Sequence, residues 1–268
     1  HAGRLTMIYR IDPRINSRPV TITLVGCGGT GGFVSDGLCR MLGKDFKLLL
    51  VDHDRVEPHN LRRQLFYPED LDKFKSQVLA ERLARRYGLA VGYSVHPYDG
   101  KTGQGITNIL IGCVDNAAAR RAIAEKHSYW WIDAGNGKNS GQVLIGNKSV
   151  RDALRESFRA ATGVCYALPF PSIQMPELLI PVPGESQPRD CAERVQANEQ
   201  SPVINQMMAG LVLELVRRLL TGTLTWMSVT LDLEVSTMRP IEADPAVVAR
   251  MVGMNVNQLV VEHGPERR

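Results

Sequence analysis

Val25-Gly26-Cys27-Gly28-Gly29-Thr30-Gly31-Gly32 is a stretch whose chemistry is phosphate binding. Glycines permit a tight turn and let a phosphate approach the backbone. A helix starting there adds unpaired N–H groups and a positive dipole end. Asp52 lies 21 residues beyond Gly31, about the offset at which an acid accepts hydrogen bonds from ribose hydroxyls. The segment His53–Phe66 that follows is dense in side chains that grip polyphosphate and metal, among them Asp54, Asn60, Arg63 and Gln64. Lys75 comes near the start of a helical pattern, where a lysine is either solvated or placed beside bound phosphate.

These residues need elements to position them. Val20–Leu24 reads as a buried strand before the glycines, and Phe33–Leu42 as a helix after them. Phe46–Val51 is a second strand, ending at Asp52. Leu71, Phe74, Val78, Leu79 and Leu83 predict an amphipathic helix over residues 70–87. Strands are expected at 89–95, 106–114, 129–134 and 142–145, with a helix at 117–127. Ile106–Val114 is the clearest buried run, and it ends in Asp115-Asn116. Such alternation predicts a doubly wound parallel sheet, with Gly26, Asp52 and Asp115 all at the carboxyl ends of strands, where ligands bind.

Residues 163–190 carry Pro169, Pro171, Pro176, Pro181, Pro183 and Pro188, which argue against a regular helix or central strand. Ser201-Pro202 then opens a strong helix whose paired apolar residues run from Val203/Ile204 to Leu219/Leu220. A stripe that wide is buried within one chain or between two. Residues 224–238 read as two strands, and the tail beyond Pro245 has only a weak apolar pattern. The expected organisation is an arm at 1–19, a nucleotide-binding core at 20–162, a crossover loop at 163–200, and a helix and strands at 201–268 completing the same domain.

Composition narrows the function classes. Apolar residues make up 44% and charged residues 22%, a globular balance. The net charge of +4 gives no mandate for nucleic acid or membrane binding. Cys27, Cys39, Cys113, Cys165 and Cys191 form no C-x-x-C pair, which suits a reducing, cytoplasmic setting. No apolar run is long enough for a membrane span.

Taken in order, four motifs resemble the ThiF/MoeB/HesA family, bacterial relatives of ubiquitin-activating enzymes. They are Gly26-Cys27-Gly28-Gly29-Thr30-Gly31, Val51–Val56 with Asn60-Leu61-Arg62-Arg63-Gln64, Lys75, and Asp115-Asn116 with Arg120. The proline excursion, Cys191 and the helix containing Gln206 look most like the PRTRC-system ThiF subgroup.

The resemblance implies a Rossmann-like, mostly parallel α/β sheet with antiparallel C-terminal strands and a proline-rich crossover loop. It implies adenylation, using ATP and Mg²⁺, of the C-terminal glycine carboxylate of a small ubiquitin-like or sulfur-carrier-like protein. Carried over to this chain, Gly26, Gly28, Gly29 and Gly31 would approach the phosphates, and Asp52 would hold the ribose. Arg63 and Lys75 would neutralise the triphosphate. Asn60 and Gln64 would order that shell, with Asp54 and Asn116 in the same nucleotide-binding set. Asp115 would coordinate Mg²⁺. A partner subunit's arginine, Arg10 or Arg14, would reach the phosphates in a homodimer. Many relatives bind zinc through two C-x-x-C pairs, so their lack here predicts no zinc site.

Cys191 stands where relatives place an acyl-accepting thiol; the plain alternative is a small buried hydrophobe. Arg189 and Arg194 would lower its pKa, and Asp190 and Glu193 would oppose them. Three other readings share parts of the pattern. A nicotinamide-dependent dehydrogenase would use the glycines and Asp52 but not the cationic set. A nucleotide-binding scaffold would hold the partner without activating it. A small molecule or an RNA base carbonyl would replace the protein tail as acceptor.

Overall fold

A computed structural model of the chain describes residues 7–16, 19–125, 129–181 and 201–262. Strands β1 (Arg10–Ile11) and β2 (Val20–Val25) lead to helix α1 (Gly29–Leu42) and strand β3 (Phe46–Val51). Helix α2 (Lys75–Tyr87), strands β4 (Val91–Ser94) and β5 (Ile109–Gly112) and helix α3 (Ala117–Ala124) follow. Then come β6 (Trp130–Asn136), β7 (Ser140–Gly146), β8 (Phe158–Arg159) and β9 (Val164–Cys165). After the long helix Pro202–Leu220 the chain adds β10 (Trp226–Asp232), β11 (Thr237–Glu242), a helix at Pro245–Val252 and β12 (Val260–Val261).

Eight strands form the main sheet in the order β11-β10-β7-β6-β5-β2-β3-β4. The five from β6 to β4 run parallel, and β7, β10 and β11 add antiparallel pairs. The chain crosses from one side of β2 to the other after β4, so β2 and β5 flank the point where ligands bind in doubly wound sheets.

Alternation along the strands serves two buried layers. Ile109, Ile111, Trp130 and Ile132 join the cluster under α1, α2 and the long helix, while Leu110 and Trp131 join Tyr98, Tyr129 and Phe170 on the opposite face. Trp131 is fully buried and meets the Phe170 ring edge-on at 5.5 Å between centroids.

Several expectations need correction. The fifth strand is shorter than residues 106–114, because Ile106 and Thr107 close a turn on the Gly103 carbonyl and Ile106 is exposed. Helix α2 starts at Lys75, since Pro68–Asp70 makes its own turn, with the Asp70 carboxylate accepting from Tyr67 N–H. Pro171 and Pro176 each open a short helical turn, because a proline at the first position gives up an N–H that has no helical partner anyway. The tail forms a true helix at Pro245–Val252, capped by the Asp244 carboxylate on Ala246 and Val247 N–H.

The described part of the arm is more than a solvated tail. Tyr9 and Ile11 are buried, and β1 pairs with β9 in a second sheet ordered β1-β9-β8-β12. The long helix lays its apolar stripe on α1 within the chain, burying Ile204, Met208, Val212, Leu215, Val216 and Leu219. Its exposed large apolar residues are Val203 and Met207, so the width of the stripe carries no argument for a second copy. Among the described residues, no helix is long and apolar enough to cross a membrane.

Candidate nucleotide site

At the carboxyl ends of β2, β3 and β5 lies a crevice of about 1130 Å³. Gly26 turns the chain out of β2 with a φ of 92°, and a Cβ there would lie 2.5 Å from the Cys113 carbonyl oxygen. Gly31 faces inward: a Cβ would overlap the Gly26 carbonyl oxygen, so its role is to pack α1 onto β2. Gly26, Gly28 and Gly29 line the crevice, whereas Gly31 does not. Helix α1 begins after Gly28 with no side-chain cap, which leaves its first N–H groups facing the opening.

Asp52 is buried at the end of β3. Its Oδ2 accepts from Cys27 N–H at 2.6 Å and its Oδ1 from Asp54 N–H at 2.8 Å. The acid thereby ties the glycine turn to the next loop while keeping lone pairs for a ligand. Burial pushes its carboxyl above the ordinary aspartate value, and the Lys75 ammonium opposes that rise. Lys75 is itself buried, with Nζ 3.0 Å from Asp54 Oδ2. Arg63 faces the same space. Burial lowers its pKa and the charge of Asp115 pulls it back up. Asp115, exposed at the end of β5, completes the set.

Asp52, Arg63, Lys75 and Asp115 are therefore gathered around one opening. Asp54, Asn60, Gln64 and Asn116 line it too, but several serve the frame. Asn60 Oδ1 accepts from Glu57 N–H at 2.9 Å and closes the turn at Pro58–Arg62. Asn116 caps α3, its Oδ1 accepting from Ala119 N–H at 2.8 Å. Gln64 Oε1 is buried with no hydrogen-bond partner among the described residues.

Arg120 also lines the crevice, and its Nε donates to the fully buried Asp133 at 3.1 Å. Burial raises the Asp133 carboxyl and Arg120 opposes the rise. Neither Arg10 nor Arg14 lines the crevice of its own chain; the Arg14 guanidinium lies 3.5 Å over the Tyr166 ring.

Sequence reasoning missed the far wall. Thr30, Asn136, Gln142 and Asn205 line it. They come from α1, the β6–β7 hairpin and the long helix, segments that no local spacing connects.

Cys191 lies outside the described residues. The other four cysteines have thiols pushed up by burial, Cys39 and Cys165 to about 12. The ligand atoms of Asp52, His53 and Asp54 lie within 4.8 Å of one another. The Asp52 oxygens take backbone N–H groups and Asp54 pairs with Lys75, so this cluster is committed within the chain.

The ThiF family profile matches residues 14–246. The ubiquitin-like modifier-activating enzyme 5 of Dictyostelium discoideum is 29% identical over 152 residues, covering 48% of this chain and 39% of that enzyme. Its counterpart from Branchiostoma floridae is 31% identical over 158 residues, covering 50% and 38%. The chain thus spans about two fifths of the length of these curated relatives. Among solved structures, PaaA in its selenomethionine form superposes with a TM-score of 0.56 at 18% identity, covering 83% of this chain and 64% of that one. MccB of E. coli, solved with AMPCPP and MccA, gives a TM-score of 0.54 at 17% identity, covering 84% and 64%. At these identities the likeness is one of fold.

Proposed function

The chain belongs to the ThiF family, and from that premise we propose that it adenylates the C-terminal glycine carboxylate of a small ubiquitin-like protein with ATP. The observation that carries this reading is the gathering of Asp52, Arg63, Lys75 and Asp115 on the crevice that also exposes the Gly28–Gly29 turn. A dehydrogenase has no use for two cations and an acid at the phosphate end.

In the proposed step a carboxylate oxygen of the partner attacks the α-phosphorus. The bond from that phosphorus to the oxygen bridging to the β-phosphate breaks. Pyrophosphate leaves with the electron pair, and the acyl-adenylate remains. A carboxylate approaching a polyanion is repelled, so charge neutralisation and fixed geometry must supply most of the rate. Asp52 would hold the ribose hydroxyls. Lys75 would exchange its Asp54 contact for a phosphate oxygen, and Arg63 would stabilise charge on the departing pyrophosphate.

The residues fit Mg²⁺. Asp115 offers an exposed carboxylate beside the phosphate position, and magnesium commonly takes one or two carboxylates plus phosphate oxygens. The ion would supply positive charge to the phosphates.

Narrower readings go further. Acyl transfer to Cys191 rests on the sequence pattern; the other four thiols, the half-buried Cys113 on the crevice among them, have pKa values raised by desolvation, which makes them poor nucleophiles. The subgroup reading, a PRTRC-system ThiF protein, rests on the sequence pattern alone, as does a homodimer lending Arg10 or Arg14 across its interface.

The test is ATP–pyrophosphate exchange with candidate small proteins ending in glycine. Wild type should exchange only with its partner present. Asp115→Ala should lose exchange, and its survival would remove the metal assignment. A chain that binds ATP and the partner yet never exchanges would be the scaffold instead.

A further inference from the structure

Asn205 is 1% exposed, yet it reaches the crevice wall from the first turns of the long helix. Its Oδ1 is occupied: Asn136 Nδ2 donates to it at 3.1 Å, and the Thr30 hydroxyl, which also lies 3.2 Å from Asn136 Oδ1, stands 3.3 Å away. These bonds fix the amide. They leave Nδ2 buried with no acceptor among the described residues. A buried donor without a partner is costly, and an arriving acceptor would relieve that cost. The same Nδ2 lies against Gly29, where a Cβ would overlap it, so it sits beside the uncapped start of α1. Two kinds of donor, helix N–H groups and a side-chain amide, thus lie close together at Gly29.

The sheet order says which acceptor belongs there. Crossing the crevice, Asp52 ends β3, the glycine turn follows β2, Asp115 follows β5, and Asn136 ends β6. The cations Lys75 and Arg63 stand with the nucleotide end. At the Asn136–Gln142–Asn205 end the cation on the lining, Arg120, is paired with the buried Asp133, and the other three side chains are neutral amides, which suit a peptide carbonyl better than a polyphosphate. A neutral donor can hold an acyl oxygen without the tight ion pair that would quench a carboxylate nucleophile.

We propose that Asn205 is a substrate-binding residue whose free Nδ2–H donates to the terminal acyl oxygen of the glycine-ended substrate, with Thr30 and Asn136 as its positioning residues. This rests on the adenylation reading and adds the acyl subsite to it.

The experiment compares two probes by calorimetry. One is 5′-O-sulfamoyladenosine; the other is its glycylglycyl derivative, a stable mimic of the acyl-adenylate. Asn205→Ala should weaken the acylated probe about ten- to a hundredfold, the span of one hydrogen bond to a strongly polar acceptor, and leave the parent probe unchanged. Asn205→Ser, too short to reach the crevice, should behave alike. Both variants also give up the Oδ1 bonds to Asn136 and Thr30, so both should melt below wild type without ligand, and the two probes are compared below that melting range. Equal weakening of both probes would mean that Asn205 only braces the glycine turn, which overturns the proposal, as would no change in either. A wild type that binds neither probe removes the adenylation reading and this one with it. A wild type that binds the parent probe but gains nothing from the acyl group removes this one alone.

Discussion

Lys75 and Asp52 show how single residues are set for their work. Lys75 is a buried ammonium already neutralised by Asp54, so it waits in the crevice without an uncompensated charge. Lys75→Ala should cut exchange by about 10²–10³-fold, the usual effect of losing one electrostatic stabiliser, read as the exchange rate at saturating ATP. Asp52 carries a carboxyl raised by burial. Only its ionised form accepts from both ribose hydroxyls, so adenosine binding should weaken on acidification with a midpoint above the ordinary aspartate value. Asp52→Asn should bind weakly at every pH, and a wild-type acid limb at the ordinary value would count against the assignment. For stability the sign is opposite. The folded state holds the Asp52 proton more tightly than the unfolded chain does. Ionising Asp52 therefore opposes folding above the raised pKa, and that opposition fades as pH falls through it.

At the scale of elements, α3 is held at its start and at its middle. Asn116 caps its start, and Arg120 pins it to Asp133 on β6. Asn116→Ala should cost about 1 kcal/mol in chemical denaturation, the usual worth of a cap. Arg120→Leu leaves a buried carboxylate without its partner and should cost about 3–5 kcal/mol; a loss below the cap's would show that Asp133 finds another partner. The strands and helices that carry Asp52, Lys75 and Asp115 were legible because apolar runs and glycine turns are local signals. The Gly103–Thr107 turn hid inside an apolar run, where Ile106 looked like strand. The Asp244-Pro245 helix start was a readable cap followed by proline, passed over because the apolar pattern behind it was weak. The far wall was not legible: Asn136, Gln142 and Asn205 are ordinary amides until β6, β7 and the long helix bring them together.

At the scale of the molecule, the second sheet links remote parts of the chain. Residues 10–11, 158–165 and 260–261 close it, and Ile11 N–H also donates to the Leu224 carbonyl at 2.7 Å. Ile11 is fully buried, so Ile11→Ala should cost about 2–5 kcal/mol in denaturant titration with the crevice intact. Exchange per folded molecule should therefore be unchanged. The crevice, too, is assembled from distant segments, since Asp52 to Asp115 come from the first half of the chain and Asn205 from well into the second. Domains generally fold as units during synthesis. Translation thus delivers the glycine turn, Lys75 and Asp115 before the helix that supplies Asn205. The order of synthesis thereby withholds one side of the pocket until translation of the whole pocket is nearly done.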